Sequence, residues 1–463
     1  MTINNQDITS NDLGIFVEEH EAIIAKLFLI KHGDNVLFNT SVSQWAVFVE
    51  GVWLQAEKAN KVIYEYYCQL ILDISKNEYP TLQIGKSDWL KTVMNYSKFK
   101  SVLKIIEIKT AIAVTELNSK YELFGIQGHV FDIDTQHLRN AQASDLVFKT
   151  LGTSYDEAAT CPQWEQFLDT AMQGNKEMID YLRRLVGYFL TTSTKEQEIY
   201  YFYGSGANGK STFLDTVSAL LGSYSVKISS KTFIRNNGVT NSVAAMANLA
   251  MLAGARLALT DETDDSDASF DTQTLKSISG DAQVTGRFLR CNPITFDSTA
   301  KVVMYGNDKP YGNINDEGFW RRFRFIHFSH VVPKNERDAN LFTKLKAELP
   351  GILNWALVGL KDWQENGLNT PEAMLKDSQN YRIELDTIKE FLDGAIELEA
   401  DNVIPASHLY DHYQTWTREN LKAAESKQAF SKRIRHYLAS YKNVEPFRNS
   451  KTRGFKGIKF ISD

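Results

Sequence analysis

The sequence predicts an α/β protein with a mostly parallel sheet at its centre, on three observations. A strand pattern, EIYYFYG, runs directly into GSGANGKS and then into a helical pattern, STFLDTVSALLG. Strand and helix patterns keep alternating over residues 195–330, the order that builds a parallel sheet covered by helices. The chain has 463 residues, too many for one core, so two to four domains are expected.

Residues 10–120 alternate helical patterns with short aromatic-rich strands. In NVLFNTSVSQWAVFVEGVWLQ, Val36, Phe38, Trp45, Val47 and Val49 alternate and Glu50-Gly51 marks a turn, which predicts a β-hairpin. A helix follows in KANKVIYEYYCQLILDI, and a second short β pair is expected near YELFGIQGHVFDID. Over residues 161–192, Ile179, Leu182, Leu185, Val186 and Phe189 recur at helical spacing. Helical patterns dominate residues 336–395. Residues 403–463 read as two or three helices and a short strand, KGIKFI, and basic helices before a strand pair suggest a winged helix.

Composition narrows the class. The hydrophobic fraction is 43% and the charged fraction 23%, ordinary for a globular protein. No apolar run approaches the roughly 20 residues that span a bilayer, so no membrane partner is expected. The start, MTINNQDITSNDLG, lacks the character of a secretory signal. Cys68, Cys161 and Cys291 lie far apart and match no zinc or disulfide spacing, which fits a reducing cytoplasm. A net charge of −6 argues against coating DNA through bulk charge. Yet residues 427–463 hold ten Lys/Arg against two acids, the pattern of a confined polyanion contact or of a solvated surface.

The strongest motif is Gly204–Ser211, which fits G-x-x-x-x-G-K-[ST] between a strand and a helix. Backbone N–H groups of Gly204, Ser205, Gly206, Ala207, Asn208 and Gly209 are expected to curl around phosphates. Lys210 supplies charge to them, the Ser211 hydroxyl can ligate Mg²⁺, and Thr212 continues the helix whose positive end faces the anion. Such a loop needs an acid for the metal and another for water. ARLALTDE supplies both at a strand end: Asp261 for Mg²⁺ and Glu262 to polarise the attacking water, although the acidic run that continues allows a plain charged loop. KVVMYGND places Asn307 at the tip of the next strand, where it can hydrogen-bond the γ-phosphate or serve as a turn residue.

These residues, in this order, resemble the superfamily 3 helicases within the AAA+ ATPases, and most of all the phage and plasmid primase–helicase group that includes poxvirus-type primase–helicases. YDEAATCPQWEQFL, LRRLVGYFLT, GARLALTDET, LKSISGDAQVTGRFL, GNDKPYGNINDEGFWRRFRFIHF and ASHLYDHYQTW with QAFSKRIRHYL carry the resemblance, which covers about residues 120–460. It implies an AAA+ P-loop core with a mixed α/β N-terminal domain and a C-terminal winged-helix domain. The expected divisions are an accessory domain at 1–120, a β pair and helical collar at 121–194, the core at 195–345, a closing helical segment at 346–395 and the basic domain at 396–463.

The resemblance also implies ATP and Mg²⁺ as cofactors and a homohexameric ring on single-stranded or forked DNA, moving 3′ to 5′. A primase or polymerase partner and a mobile-element origin are expected too. Arg321 or Arg322 would be the finger that reaches the neighbour's nucleotide, unless the pair bonds acids of its own subunit. Arg287, Phe288 and Arg290 fall where the family places a DNA-facing hairpin. Lys432, Arg433 and Arg435 would contact DNA from the winged helix, a module that can equally dock a protein. The chain departs from the family by leaving little room for a primase domain. Its one candidate metal pair, Asp132 and Asp134 near His137, reads more simply as a strand end.

Two other functions fit parts of the sequence. A nucleotide-regulated origin-binding initiator would need the basic C-terminal module but little unwinding. A packaging motor or small-molecule kinase would share only the phosphate loop.

Overall fold

Glu50 and Gly51 both take positive φ, 50° and 81°, the turn that matches the twist of a two-residue β-hairpin. The computed structural model describes residues 20–76, 95–233, 243–262, 270–280, 283–310 and 317–461, apart from 421, 423, 440, 442 and 450–452. Around that turn, β1 (Val36–Asn39), β2 (Gln44–Val49) and β3 (Val52–Gln55) form an antiparallel meander, and the two-residue β4 (Ala111–Ile112) joins β1 in parallel. The expected hairpin is therefore one half of a four-stranded sheet in the order β3-β2-β1-β4. Val36 and Val47 face helix Ala56–Ser75, whose Ala59, Ile63, Tyr67, Leu70 and Ile74 repeat at three or four residues and close this core.

The second β pair is three-stranded: β5 (Leu123–Ile126), β6 (His129–Asp132) and β7 (His137–Asn140), all antiparallel. Trp53 of β3 stacks on Phe148 beyond β7, with ring centroids 4.8 Å apart, tying this sheet to the first.

The central sheet is parallel and five-stranded. It comprises β8 (Ile199–Tyr203), β9 (Ser225–Ile228), β10 (Leu257–Glu262), β13 (Lys301–Gly306) and β14 (Phe323–His327), in the order β14-β8-β13-β10-β9. Between β10 and β13 the chain makes a separate antiparallel hairpin, β11 (Gln283–Gly286) with β12 (Ile294–Asp297). Strands buried on both faces should be almost wholly apolar, and β8 is: Ile199, Tyr200, Tyr201 and Phe202 are all buried.

The helices on this sheet share one aromatic core. Trp164 of helix Pro162–Ala171 stacks on Phe213 of helix Lys210–Leu221, 5.4 Å between centroids, and meets Trp355 of helix Leu349–Asn366 edge-on at 5.6 Å. Helices Lys176–Phe189 and Leu349–Asn366 lie closer still. A Cβ on Gly187 would sit 2.2 Å from Leu360 N, and one on Gly359 would sit 2.0 Å from Arg183 O. Only glycine at both positions permits that approach.

The chain divides into two compact units, one holding residues 1–310 and 321–374 and the other 311–320 and 375–463. Everything above lies in the first. In the second, helices Thr387–Ala395, Ala406–Glu419 and Lys427–Leu438 pack with an antiparallel sheet, β15 (Ile396–Pro405), β16 (Glu445–Arg448) and β17 (Arg453–Phe460), ordered β15-β17-β16. Its core is Ile388, Phe391, Leu409, Tyr413, Phe430, Ile434 and Ile458. The long strand β15 was not expected from the sequence. Its residues 396–402 are mostly exposed, so they show no apolar alternation. Among the described residues no helix is long and apolar enough to cross a membrane.

Trp164 joins three helices, one of which begins at the phosphate loop. Replacing it with alanine is expected to lower the unfolding free energy by about 3–5 kcal/mol, the usual cost of emptying a large aromatic site. Chemical denaturation followed by circular dichroism would measure this.

Candidate functional site

Strand β8 ends at Tyr203 and the next eight residues form the loop. Gly209 has φ of 86°, and a Cβ there would lie 2.9 Å from the Phe167 ring, so glycine is required twice over. The N-cap residue Gly209 has no side chain to cap helix Lys210–Leu221, which leaves the N–H groups that follow Lys210 for a ligand. The loop is held from inside. Buried Asn208 donates from Nδ2 to Phe328 O (2.8 Å), and its Oδ1 accepts from Lys210 N (3.3 Å). From the far side, Val332 N donates to Ala207 O (2.9 Å). Ser205, Gly206, Ala207 and Ser211 are exposed, Thr212 is half-buried, and Lys210 is buried. Its Nζ donates to Gly204 O (2.9 Å) and Gly306 O (2.7 Å), which places the ammonium at the loop mouth.

Strand β13 lies between β8 and β10, and register brings the three strand ends together. Tyr203 pairs with Gly306, and Tyr305 pairs with Glu262 after a register shift beyond Leu259. Asn307 is exposed at the end of β13, and its carbonyl accepts from Gly204 N (3.1 Å). The backbone of Asp261 and Glu262 therefore ends β10 at the same edge of the sheet as the loop. Their side chains, the acidic run 263–269 and residues 311–316 lie outside the described residues. The carboxyl edge of a parallel sheet is where open α/β proteins bind ligands.

Beside the loop opens a cavity of about 460 Å³ that sequence reasoning missed. Ala207, Asn208, Gly209 and Thr212 form one wall. Phe167 and Ala171 of helix Pro162–Ala171, with Val332 and Leu341, form an apolar side, and a mixed charged rim follows: Glu336, Arg337, and Lys344 ion-paired to Asp338 at 2.7 Å. Outside the loop itself, these residues belong to no phosphate-binding motif. The one available signal was the helical pattern of CPQWEQFLDTAM just ahead of the strand and loop.

The two arginines separate. Arg321 is exposed. Arg322 is buried, donating from Nε to Ser279 Oγ (3.2 Å) and from Nη2 to Gln197 Oε1 (3.5 Å). Its carbonyl also accepts from Ile199 N (2.9 Å), so it belongs to the inside of its own chain, and the expectation that it could reach a neighbour is corrected.

The hairpin residues lie at the tip between β11 and β12. Arg287 and Arg290 are exposed and Phe288 is half-buried. Leu289 between them is 71% exposed. The tip is anchored where Arg287 N donates to Met246 O (2.9 Å). In the second unit, Lys432 and Arg435 are exposed. Arg433 is not: it is buried against Asp386 and Glu425 with both carboxylates ion-paired to it, so its place among DNA-contacting residues is corrected.

The Asp132 pair has a structural use. Asp132 Oδ1 accepts from the backbone N–H of Asp134 (3.0 Å) and Thr135 (2.9 Å), and these bonds hold its carboxyl below the usual range. No cluster of three or more metal-ligating side chains occurs among the described residues.

Comparison with known proteins gives three family matches. Residues 24–173 match a model described as D5 N terminal like, residues 202–322 a family of unknown function (DUF5906), and residues 383–460 a model described as Poxvirus D5 protein-like. The chain is 26% identical over 348 residues to "Putative helicase L207/L206" of Acanthamoeba polyphaga mimivirus, covering 70% of this chain and 35% of that protein. It is 23% identical over 259 residues to "Putative helicase 022R" of Frog virus 3 (isolate Goorha), covering 52% of this chain and 26% of that protein. The chain thus spans only about a third and a quarter of the lengths of these relatives. Among solved structures it is similar to the apo NrS-1 C-terminal region (305–718), with a TM-score of 0.51 at 12% identity over 95% of this chain and 100% of that one. A second apo form of that region gives a TM-score of 0.50 at 10% identity over 96% of this chain and 100% of that one. At such identities the likeness speaks for the fold alone.

Removing Arg433 strands the buried Asp386 carboxylate and the half-buried Glu425 carboxylate. Arg433→Met is expected to destabilise the second unit by about 3 kcal/mol, within the range for breaking a buried pair. Lys432→Ala and Arg435→Ala should leave the melting temperature unchanged in calorimetry.

Proposed function

The chain belongs with the D5-like primase–helicase proteins, and from that premise we propose that it is an ATP-dependent DNA helicase of a virus, phage or other mobile element. The observation that carries this reading is the meeting of three loops at one sheet edge: the phosphate loop after β8, Asp261-Glu262 at the end of β10, and Asn307 at the end of β13 between them. That arrangement supports an AAA+ type of core, in which Glu262 would act on phosphates held across the one strand, β13, that separates β10 from β8.

In this reading ATP lies with its phosphates on the loop backbone and Lys210, and with its nucleoside in the cavity beside Phe167, Thr212 and Leu341. Ser211 and Asp261 would hold Mg²⁺, which neutralises phosphate charge. Exposed Ser211 fits that demand, and the helix start suits the phosphates. Glu262 polarises the attacking water, and Asn307 orients it.

Arg321 is the exposed arginine of the pair and serves as the finger to the neighbouring subunit of a homohexamer. The tip of the β11–β12 hairpin, with Arg287, Phe288 and Arg290, follows single-stranded DNA 3′ to 5′ as the nucleotide state changes. The helices and β16–β17 hairpin of the second unit support a winged-helix reading, with Lys432 and Arg435 toward DNA phosphates. Residues 1–120 serve as an accessory domain that meets a primase or polymerase. The second reading, an origin-binding initiator, is favoured only by those exposed basic residues of the second unit.

Glu262→Gln is expected to keep ATP binding while losing forked-duplex unwinding by about 10²-fold or more. Arg321→Ala should cut DNA-stimulated ATP hydrolysis by about 10³-fold with nucleotide binding intact. Arg322→Ala should instead lower the melting temperature. Origin function that survives Glu262→Gln would favour the initiator, and a strict monomer with ATP and DNA present would overturn the ring.

A further inference from the structure

Arg324, three residues after Arg321, grips the chain that carries it. Its Nη2 ion-pairs with Glu198 Oε1 at 2.6 Å, just before β8. The two side chains are 17% and 7% exposed, so water screens the pair little. From Nη1 the same guanidinium donates back along its own strand, to Arg321 O (3.0 Å) and Phe323 O (3.2 Å). Register brings the pair together. Arg324 sits opposite Tyr200, so Glu198, two residues before Tyr200, shares its face of the sheet. Burial pushes the Glu198 carboxyl up to about 7 against the pull of Arg324. A neutral carboxyl still accepts from a guanidinium, so the link survives that titration.

Glu198 is seated in turn. Gln197 Oε1 accepts from Arg322, Glu196 Oε1 accepts from Trp363 Nε1 (2.8 Å), and the Lys195 ammonium lies 4.0 Å from the Trp363 ring. Residues 195–198 thus join helix Leu349–Asn366 to the start of β14. Arg321 itself lies outside the strand ladder, which begins at Phe323. It stands at the amino edge of the sheet, whereas the phosphate loop leaves the carboxyl end of β8. The five residues of β8 separate those edges by about 16 Å, at roughly 3.3 Å per residue. An arginine side chain is shorter than that, so Arg321 cannot serve its own loop.

We propose that Arg324, braced by Glu198, is a positioning residue that sets where Arg321 meets the neighbouring subunit's nucleotide, a role that rests on Arg321 being the finger of a ring. A misplacement of about 1 Å at a reacting centre lowers a rate by about 10²-fold. An exposed side chain on an unladdered residue does not reach such precision by itself. Two bonds supply it from behind. Ile199 N holds Arg322 O, and the braced guanidinium holds Arg321 O. Arg324 acts through the backbone of Arg321 and touches no nucleotide.

The test measures DNA-stimulated ATP hydrolysis by the full chain carrying Glu198→Gln and Arg324→Met together, which leaves neither partner as a stranded charge. The kcat is expected to fall at least about ten-fold, with KM for ATP and the melting temperature unchanged. Mixed rings then separate placement from folding. Glu262→Gln subunits lack the hydrolytic acid but keep Arg321, so mixing them with the double variant should restore hydrolysis. Arg321→Ala subunits mixed in the same way are the reference. If the double variant does not fold, Arg324→Lys takes its place, since it keeps a charge beside Glu198 but has no fork for Arg321 O. An undiminished kcat, or no gain on mixing where Arg321→Ala gains, would overturn the proposal. Arg321→Ala protein that hydrolyses ATP at the full rate would instead sink the finger, and with it anything left to position.

Discussion

Parallel pairing is the constraint on which the rest of this structure depends. Parallel strands all point one way, so every loop that leaves a carboxyl end leaves from one edge. Pairing Tyr203 with Gly306 and Tyr305 with Glu262 decides which residues meet there. A one-residue slip of β13 would move Asn307 away from Gly204 and turn its buried faces over. The buried run Ile199–Phe202 and the buried Val302–Met304 resist that slip, because they fill both faces of the sheet. Chemistry at the edge is thus positioned by apolar residues that touch no ligand.

Much of this was legible in the sequence because it is local. The phosphate loop, the acid pair and Asn307 each sit at the end of a short apolar run, and the run and its tip are read together. The alternation around Glu50-Gly51 gave the hairpin for the same reason. The cavity wall was not legible. Phe167 and Leu341 are 174 positions apart in the chain and belong to elements whose patterns announce only helices.

Arg433 is the instructive case between these two. Composition sees ten basic residues in the tail and cannot tell a solvated one from a buried one. Helical spacing does not do so either. Phe430, Ile434 and Leu438 form the buried stripe of helix Lys427–Leu438, and 433, three residues after 430, flanks it on one side as 435, three residues before 438, flanks it on the other. The carboxylates waiting for it, Asp386 and Glu425, lie 47 and 8 residues away, and no charge count would have paired them. Arg324 and Glu198 were silent for another reason: they sit at the starts of β14 and β8, where a charge beside an apolar run reads as a solvent-facing strand end.

The glycine-to-backbone contact between helices Lys176–Phe189 and Leu349–Asn366 has a mechanical consequence. Side chains usually act as springs between helices, since rotamers can change and let axes slide. Where Gly187 and Gly359 bring backbone against backbone, that compliance is gone, and two helices become one stiff beam under the sheet. Strain generated at the carboxyl edge cannot dissipate into such a foundation. It must travel outward, to parts that are free to bend.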